Sequence, residues 1–405
     1  MKRTHDVAIL GFGVVGGGVA ELIKNNQKEL AAYLGCEVRV THILDLRDFP
    51  DSPYAPIITH DFGDILADEA VDTVIEVMGG SHPAYEYTVA ALAAGKNVIT
   101  SNKEVVANYG DEFVRLAAES GVSYRFEAAV GGGIPVIAPM ISCVRQNKMR
   151  EVRGILNGTT NYILTKMFTY GESFEGALRD AQARGYAEAN PDADVLGKDA
   201  ARKISILTAL AADVLPSVDD VHTEGITGIR AEDVRHAEAI GHKIKLLGRC
   251  VIRDNGELTV CVAPFLLPKA SPLATVDGVY NAVEIIAEPL GNIMLYGQGA
   301  GAGATASAVV GDLIPIVACE GINPIVPGFN RADYSFGASF DRFKSRSYVA
   351  FKNVSINEAR EALGEITVLS DKEELAIITE ELTEAEFNSR LAKLGKAPES
   401  RIRFI

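Results

Sequence analysis

The sequence has no apolar run that reaches the roughly 18 residues needed to span a bilayer. Its opening stretch, Met1 to Gly13, runs straight into a short apolar segment and a glycine turn. The longer apolar core and small-residue cleavage site of a signal peptide are missing. Cysteine is scarce. Cys36, Cys143, Cys250, Cys261 and Cys319 are odd in number, scattered, and never spaced Cys-x-x-Cys. That argues against a disulfide framework or a zinc site and fits a reducing compartment, so the expected location is the cytoplasm. Positive charge is also short: 39 Lys and Arg against 54 Asp and Glu, a net charge of −15. This argues against nucleic acid or an anionic membrane as a main partner, because both need a basic patch. A small anionic ligand needs only a local cluster of donors. No low-complexity segment and no fixed-period repeat is present.

What is there is a globular composition, 47% apolar and 23% charged, spread over 405 residues. That length favours two or three domains. Up to about residue 140 short strands and helices alternate. Strands are expected at Asp6–Leu10, Glu37–Leu46, Val71–Val77, Asn97–Thr100 and Ser123–Ala128, with helices at Val14–Leu34, Tyr85–Ala94 and Asp111–Glu119. This alternation implies βαβ units and a parallel sheet, a Rossmann-type α/β domain over 1–140. An apolar helix at Thr305–Ala318 would complete that domain within about 300–340. Between 141 and 300 the pattern reads as an α+β substrate domain, with helices at Tyr162–Thr169, Phe174–Arg184 and Gly197–Ala212. Its strands are expected at 151–156, Lys245–Arg253 and Leu258–Leu266. Residues 330–345 read as a linker. The last stretch, 345–405, follows the order β-α-β-β-α-β of a small ferredoxin-like domain.

Gly11, Gly13 and Gly16 stand as Gly-x-Gly-x-x-Gly between a strand and a helix. The first glycine permits a tight turn and the second lets backbone approach a pyrophosphate. The third lets helix and strand pack closely. Free N–H groups at the helix start then favour phosphate. Gly11, Phe12, Gly13, Val14, Val15 and Gly16 are therefore read as the loop that holds a nicotinamide dinucleotide. The second strand runs out near Asp45-Leu46-Arg47. An acid there would bind the ribose hydroxyls of NAD, and an arginine would favour the 2′-phosphate of NADP. Both are present. Arg47 pointing to solvent is the plain alternative, and the reading leans to NADP.

Two lysines stand out. Thr100-Ser-Asn102-Lys103-Glu104 follows a strand of the nucleotide-binding half, where residues face the ligand crevice. A lysine there can hold a ligand oxygen or move a proton, though a solvent-exposed lysine is the usual case. In the stretch 185–203, rich in acids, Asp199 and Lys203 lie four residues apart on one helix face, above an apolar face of Ala200, Ile204, Leu207 and Ala211. Either this is a surface ion pair worth a few tenths of a kcal/mol, or it is part of a polar cluster that holds a zwitterionic substrate.

The motifs taken together resemble the homoserine dehydrogenase family. They are Gly-Phe-Gly-Val-Val-Gly at 11–16, Thr-Ser-Asn-Lys-Glu at 100–104, Glu127-Ala-Ala-Val130-Gly-Gly132-Gly-Ile134-Pro, Leu156-Asn-Gly-Thr-Thr-Asn161, Ala-Asn-Pro-Asp-Ala-Asp-Val-Leu-Gly-Lys-Asp-Ala-Ala-Arg-Lys at 189–203, and Gly299-Ala-Gly-Ala-Gly303-Ala-Thr305. They come in the family's order over about residues 5–340. The resemblance implies reversible hydride transfer between L-homoserine and L-aspartate 4-semialdehyde with NAD or NADP, in threonine and methionine synthesis. It implies Lys203 as proton donor, with Lys103 assisting and, like Asn102, contacting the cofactor. Glu188 would hold the substrate ammonium, Asp194 and Asp199 would orient substrate and Lys203, and Asn157 and Thr159 would contact the substrate. Gly303 and Thr305 would lie against the nicotinamide. The carbonyls of Val130, Gly132 and Ile134, with Glu127, would hold Na+ or K+ in a structural role. A homodimer, with 141–300 also serving as the dimerisation domain, or a homotetramer, and threonine regulation are also implied. The final stretch resembles an ACT regulatory domain but lacks the Asp-x-Pro-Gly turn usual there, reading Lys352-Asn-Val-Ser-Ile-Asn357 instead. That puts threonine sensing in question and leaves assembly as the other role. The chain resembles the monofunctional form, without a kinase-like extension.

Two other readings stay open. One keeps the fold and changes the substrate to another amino-acid semialdehyde or related small molecule. The other is an amino-acid sensor without turnover, which would have no need of a proton donor such as Lys203.

Overall fold

The computed structural model describes residues 4–318, 329–330 and 340–405. The chain divides into two units. The first comprises residues 1–146, 209–215 and 297–332. It holds strands β1 (Thr4–Leu10), β2 (Glu37–Leu44), β3 (Ile58–Thr59), β4 (Val71–Glu76), β5 (Asn97–Thr100) and β6 (Tyr124–Arg125). All pair in parallel in the order β3-β2-β1-β4-β5-β6. This is the doubly wound order, and its direction reverses between β1 and β4, where such sheets open a ligand crevice. The helices are α1 (Val14–Asn25), α2 (Gln27–Leu34), α3 (Phe62–Ala67), α4 (Ala84–Ala93), α5 (Lys103–Ser120) and the single turn α6 (Ile137–Pro139). Val7, Ile9, Val19, Ile23, Ile43 and Ile75 form its core with Val309 and Leu313, which belong to the helix at Ala302–Ala318. The helix after residue 300 is thus built into the core of this unit.

Two helices differ from expectation. The single helix foreseen over Val14–Leu34 breaks at Asn26, a poor helix former that caps α1 and starts α2. The helix foreseen at Asp111–Glu119 begins eight residues earlier, at Lys103. Asn102 caps it by accepting from Glu104 N at 3.2 Å. Gly110 lies inside this helix. Its buried face admits the Phe329 ring, which would lie 2.6 Å from an added Cβ.

The second unit comprises residues 147–208, 216–296 and 333–405. It contains β7 (Lys148–Ile155), helices α7 (Gly158–Tyr170), α8 (Phe174–Ala183), the one-turn α9 (Asp192–Val195) and α10 (Lys198–Ala212), then β8 (His222–Thr223), α11 (Ala231–Ala239), β9 (His242–Ile252), β10 (Leu258–Pro268), β11 (Tyr280–Glu288) and β12 (Gly291–Gln298). The helix of the first unit at Ala302–Ala318 is α12. The hairpin β11–β12 and the helix α11 had not been foreseen. A run of branched residues around Val283–Ile286, followed by Pro289-Leu-Gly291, was the available signal for the hairpin.

The C-terminal segment holds β13 (Lys344–Ser345), β14 (Ser347–Phe351), α13 (Ile356–Leu363), β15 (Ile366–Asp371), β16 (Leu375–Thr379), β17 (Leu382–Thr383), α14 (Glu384–Leu394) and β18 (Ser400–Phe404). Four of these strands are antiparallel in the order β18-β14-β16-β15, the ferredoxin-like arrangement. Ser355 with Glu358, and Thr383 with Glu386, form capping boxes at the starts of α13 and α14. β18 also pairs in parallel with β10, so this sheet continues the one built by β7 and β9–β12 into a single ten-stranded sheet. Asn353, in the turn that lacks the usual glycine, takes a left-handed φ of 57°. Asparagine tolerates that region better than most residues. The linker foreseen at 330–345 lies mostly outside the described residues. Among the described residues, no helix is long and apolar enough to cross a membrane.

Candidate active site

The glycine loop joins β1 to α1. Gly11 has φ +96°, and its N–H donates to Leu44 O at 2.8 Å. A Cβ at Gly16 would lie 1.9 Å from Gly11 O, so only glycine lets the helix come this near the turn. Gly13 and Val14 are exposed at the mouth, and Phe12 and Val15 are half-buried. A cavity of about 470 Å³ opens here, lined by Gly11, Gly13, Asp45, Arg47, His60 and Met78 among others. It lies at the carboxyl ends of β1, β2 and β4, beside the reversal of strand order.

Asp45 and Arg47 meet at its rim. Asp45 accepts from Phe12 N at 2.8 Å and Arg47 N at 3.0 Å. Arg47 Nε and Nη2 each reach an Asp45 carboxylate oxygen at 2.9 Å. The Arg47 bond and the two backbone bonds outweigh burial and hold the Asp45 carboxyl well below its usual range. The guanidinium stays largely in solvent, 5.0 Å from the Phe49 ring centre. Arg47 thus neutralises Asp45 and remains at the edge of the cavity.

At the end of β4, Glu76 is fully buried. It accepts from Thr100 Oγ1 at 2.6 Å and from Met78 N at 2.8 Å. Burial pushes its carboxyl up to about 7 against those bonds. Thr100 in turn accepts from Asn102 N at 2.9 Å, and Asn102 Nδ2 donates to Gly80 O at 2.7 Å. The half-buried Lys103 occupies the first turn of α5, directly after this hydrogen-bonded corner. Sequence reasoning missed Glu76. An acid at the end of a strand, VDTVIE, directly after its apolar Val-Ile pair, was the signal.

The turn at 130–134 and the loop at 297–305 interlock. Gly131 and Gly132 both have positive φ. A Cβ on Gly132 would meet Gly299 O at 2.5 Å, and one on Gly133 would meet Ala304 Cβ at 2.9 Å. Gly133 N donates to Gln298 O at 3.2 Å, and Thr305 N to Gly301 O at 2.9 Å. Gly303 is exposed and Thr305 half-buried. Glu127 accepts from Val136, Ile137 and Ala138 N–H at 2.6–2.8 Å, which caps the start of α6. Its own N–H donates to Asp312 Oδ2 at 2.8 Å. Burial raises both carboxyls, Asp312 to about 7. The Glu127 carboxylate thus serves as the cap of this turn. A cation at this turn would rest on the carbonyls of Val130, Gly132 and Ile134, oxygen donors that suit a large ion of low charge.

In the second unit the structure brings four of the candidate residues together. Asn157 caps α7 through Oδ1, which accepts from Thr160 N at 2.9 Å. Its Nδ2 donates to Asp194 Oδ1 at 2.7 Å and to Asp199 Oδ2 at 2.9 Å. Lys203 Nζ donates to the same Asp199 oxygen at 2.7 Å and to Leu156 O at 2.7 Å. The pair is not a surface pair: side-chain exposure is 9% for Lys203 and 5% for Asp199. Two charges are kept out of water only where hydrogen bonds compensate them, and removing one partner then costs roughly 3–5 kcal/mol. Close packing makes the contact possible. A Cβ on Gly248 of β9 would meet Leu156 Cδ1 at 2.6 Å and Ile204 Cβ at 3.1 Å, so β9, Leu156 and α10 share the space a side chain would fill.

The other candidates stand differently. Thr159 Oγ1 donates to Tyr186 O at 2.6 Å and so ties down the loop that carries Glu188. Glu188 is exposed, and its carbonyl accepts from Gln182 Nε2 at 3.1 Å. Asn161 is structural: its Nδ2 donates to Val276 O and Tyr280 O. Its Oδ1 accepts from Lys245 Nζ at 2.9 Å. Lys245, missed in the sequence, is buried within β9 and also bonds Asp277 at 2.9 Å. Burial outweighs that partner and lowers its ammonium to about 8.

Comparison with known proteins places these features. The model of the homoserine dehydrogenase NAD-binding domain matches residues 11–127, and the homoserine dehydrogenase model matches 135–314. A homoserine dehydrogenase of Synechocystis is 43% identical over 319 residues, 78% of this chain and 73% of that protein. The crystal structure of a homoserine dehydrogenase from Thiobacillus denitrificans superposes with a TM-score of 0.89 at 34% identity, covering 100% of this chain and 98% of that one. A hyperthermophilic archaeal homoserine dehydrogenase mutant in complex with NADPH superposes with a TM-score of 0.67 at 28% identity, over 77% of this chain and 97% of that one. With two matching domain models in sequence and a solved relative that spans its whole length, the chain belongs to the homoserine dehydrogenase family, NAD(P)-dependent oxidoreductases of amino-acid biosynthesis.

Proposed function

We propose that this enzyme interconverts L-homoserine and L-aspartate 4-semialdehyde with Lys203 as the proton donor and acceptor at the reacting oxygen. One observation carries the assignment: a buried ammonium fixed by a carboxylate and a carbonyl at 2.7 Å each, next to Asn157 and Asp194. The bound nicotinamide supplies or removes the hydride at the aldehyde carbon. As charge builds on the substrate oxygen, a fixed ammonium stabilises it electrostatically and then gives up a proton. Asp199 holds Lys203 in place, and Asn157 holds Asp199 and Asp194 together. Asp194 and the exposed Glu188 would orient the substrate, Glu188 by binding its ammonium group. Lys103, with Asn102, would contact the cofactor from the corner braced by Glu76, and Gly303 and Thr305 would face the nicotinamide.

For the cofactor, NADP is favoured. Asp45 is neutralised by Arg47, so it would not repel a 2′-phosphate, and the exposed guanidinium lies at the cavity rim. The NADPH bound to the archaeal relative points the same way. Na+ or K+ at Val130, Gly132 and Ile134 would brace the 130–134 turn. Threonine, if it acts, would enter the cleft of about 630 Å³ at Asn353–Asn357 and Asp371–Leu375. A homodimer or homotetramer is favoured by the exposed Leu290 and Tyr296 on the hairpin at one edge of the large sheet. No disulfide joins Cys36, Cys143, Cys250 or Cys261, which fits a cytoplasmic enzyme.

The test is nicotinamide reduction by L-homoserine, with NAD and NADP in parallel and with and without L-threonine. Reduction with homoserine but not serine is the expected result. Silence in both directions, including semialdehyde reduction, would return the chain to the readings of a different small-molecule substrate or an amino-acid sensor.

A further inference from the structure

β8 and β18 both pair in parallel with β10, at Cys261↔His222 and Val262↔Thr223 for one and at Phe265↔Arg403 and Leu266↔Phe404 for the other. β9 takes the whole of the opposite edge of β10. The two short strands therefore sit end to end along one edge. Across their junction Arg403 forks onto Glu224, Nη1 to Oε2 and Nη2 to Oε1, both at 2.7 Å. Arg403 is buried and also holds Glu384, at 2.8 Å and 2.9 Å. Its guanidinium lies 5.3 Å from the Phe340 ring centre, and His222 stacks on the same ring at 3.7 Å.

Immediately after Glu224, the chain packs without slack against the turn that supports the substrate cluster. A Cβ on Gly225 would lie 2.1 Å from Val195 O and 2.6 Å from Leu196 Cα. Ile226 N donates to that same Val195 O at 2.8 Å. Gly197, at φ +81°, has its missing Cβ position 3.1 Å from Thr223 Cγ2 and 3.1 Å from Val262 Cγ1. Gly197 N bonds Asp194 O at 2.9 Å, and Ala201 N bonds Gly197 O at 2.9 Å, so the turn joins α9 to the first turn of α10. Packed backbone transmits a displacement instead of absorbing it. A shift at Glu224 moves Val195–Gly197, and with it the carboxylates on either side.

We infer that Glu224 and Arg403 form a strut by which the last strand of the chain sets the spacing of Asp194 and Asp199, making both positioning residues for substrate binding. This rests on the reading of Asn157, Asp194, Asp199 and Lys203 as the substrate site. The residue next to Glu224 packs directly on the turn that separates Asp194 from Asp199, which ties the pair to the acids.

The experiment is steady-state kinetics of full-length Glu224→Gln with L-homoserine and each nicotinamide, beside a thermal melt. The homoserine KM rises about tenfold, kcat stays within about threefold and the nicotinamide KM is unchanged, as a small misplacement of orienting groups requires. A purely structural role would lower the melting temperature and the active fraction and leave the homoserine KM as it was. That result, in folded protein with intact nicotinamide affinity, overturns the strut. Arg403→Lys, which keeps the charge but not the fork, carries the same test if Glu224→Gln does not fold. Lys203→Met run in parallel separates the two ideas. Lost turnover there with unchanged KM in the strut variants removes only the strut, whereas retained turnover removes the site on which it was built.

Discussion

The two units build their binding surfaces from different material. In the first, the dinucleotide cleft is mostly backbone: Gly11, Gly13 and Gly16 contribute the absence of side chains, and one contact would be 1.9 Å if a Cβ were present. In the second, the cluster is mostly side chains, collected from Asn157, Asp194, Asp199 and Lys203 on three separate segments and locked by bonds of 2.7–2.9 Å. A backbone site depends on local spacing. A side-chain site depends on where distant segments meet. Mutations should therefore act differently: in the second unit on chemistry, in the first on which nucleotide fits.

The largest effect should come from Lys203→Met. Homoserine oxidation falls by about 10³-fold, within the range for loss of a positioned proton donor. Nicotinamide affinity, read by fluorescence titration, stays as in the wild type. A loss of both would blur the division between the units. Next is Asn157→Ala, which unties the two acids from each other and removes a helix cap. We expect kcat/KM for homoserine to drop by about 30-fold, and the cap to cost about 1 kcal/mol in a denaturation curve. Arg47→Leu should be milder and confined to one cofactor: the NADP KM rises about tenfold while the NAD KM moves less than about twofold. Equal changes for both nucleotides would remove Arg47 from selectivity.

The smallest effect concerns Glu76. Its carboxyl ionises near 4.5 in the unfolded chain and near 7 in the fold, because burial disfavours the charge. A raised carboxyl adds stability that is fully present below the unfolded value and is lost as pH rises through the folded one. Asp312, also raised to about 7, adds the same trend. Glu76→Gln, measured by melting temperature from pH 5 to 8 (roughly the window set by those values), should flatten the decline and gain on the wild type toward pH 8. An unchanged slope would mean that Glu76 does not titrate in this range.

The contrast also explains what was legible in the sequence. The nucleotide half could be read from glycine spacing and from the alternation of strand and helix, since both are local. Residues Asp199 and Lys203 were visible as a four-residue spacing, but a spacing cannot distinguish a surface pair from one that is 9% and 5% exposed. Burial came from Gly248 and Leu156, elsewhere in the chain. The family resemblance supplied that context, and residues without a motif stayed hidden: Glu76, Lys245, Asp312 and Glu224 each gain their meaning from partners far away in sequence. The hairpin β11–β12 was missed for a related reason. Its residues are apolar and branched without strict alternation, so no period of two stands out.

The junction of β18 with β10 has a consequence for how the molecule is made. Leu266 and Phe265 leave the ribosome with an open strand edge, because their partners, Arg403 and Phe404, lie far downstream in the sequence. Pairings so distant in sequence form late and leave exposed edges vulnerable to association. A nascent or truncated chain that stops short of Ser400 should therefore be prone to aggregate through that edge, even with its nucleotide-binding unit fully formed.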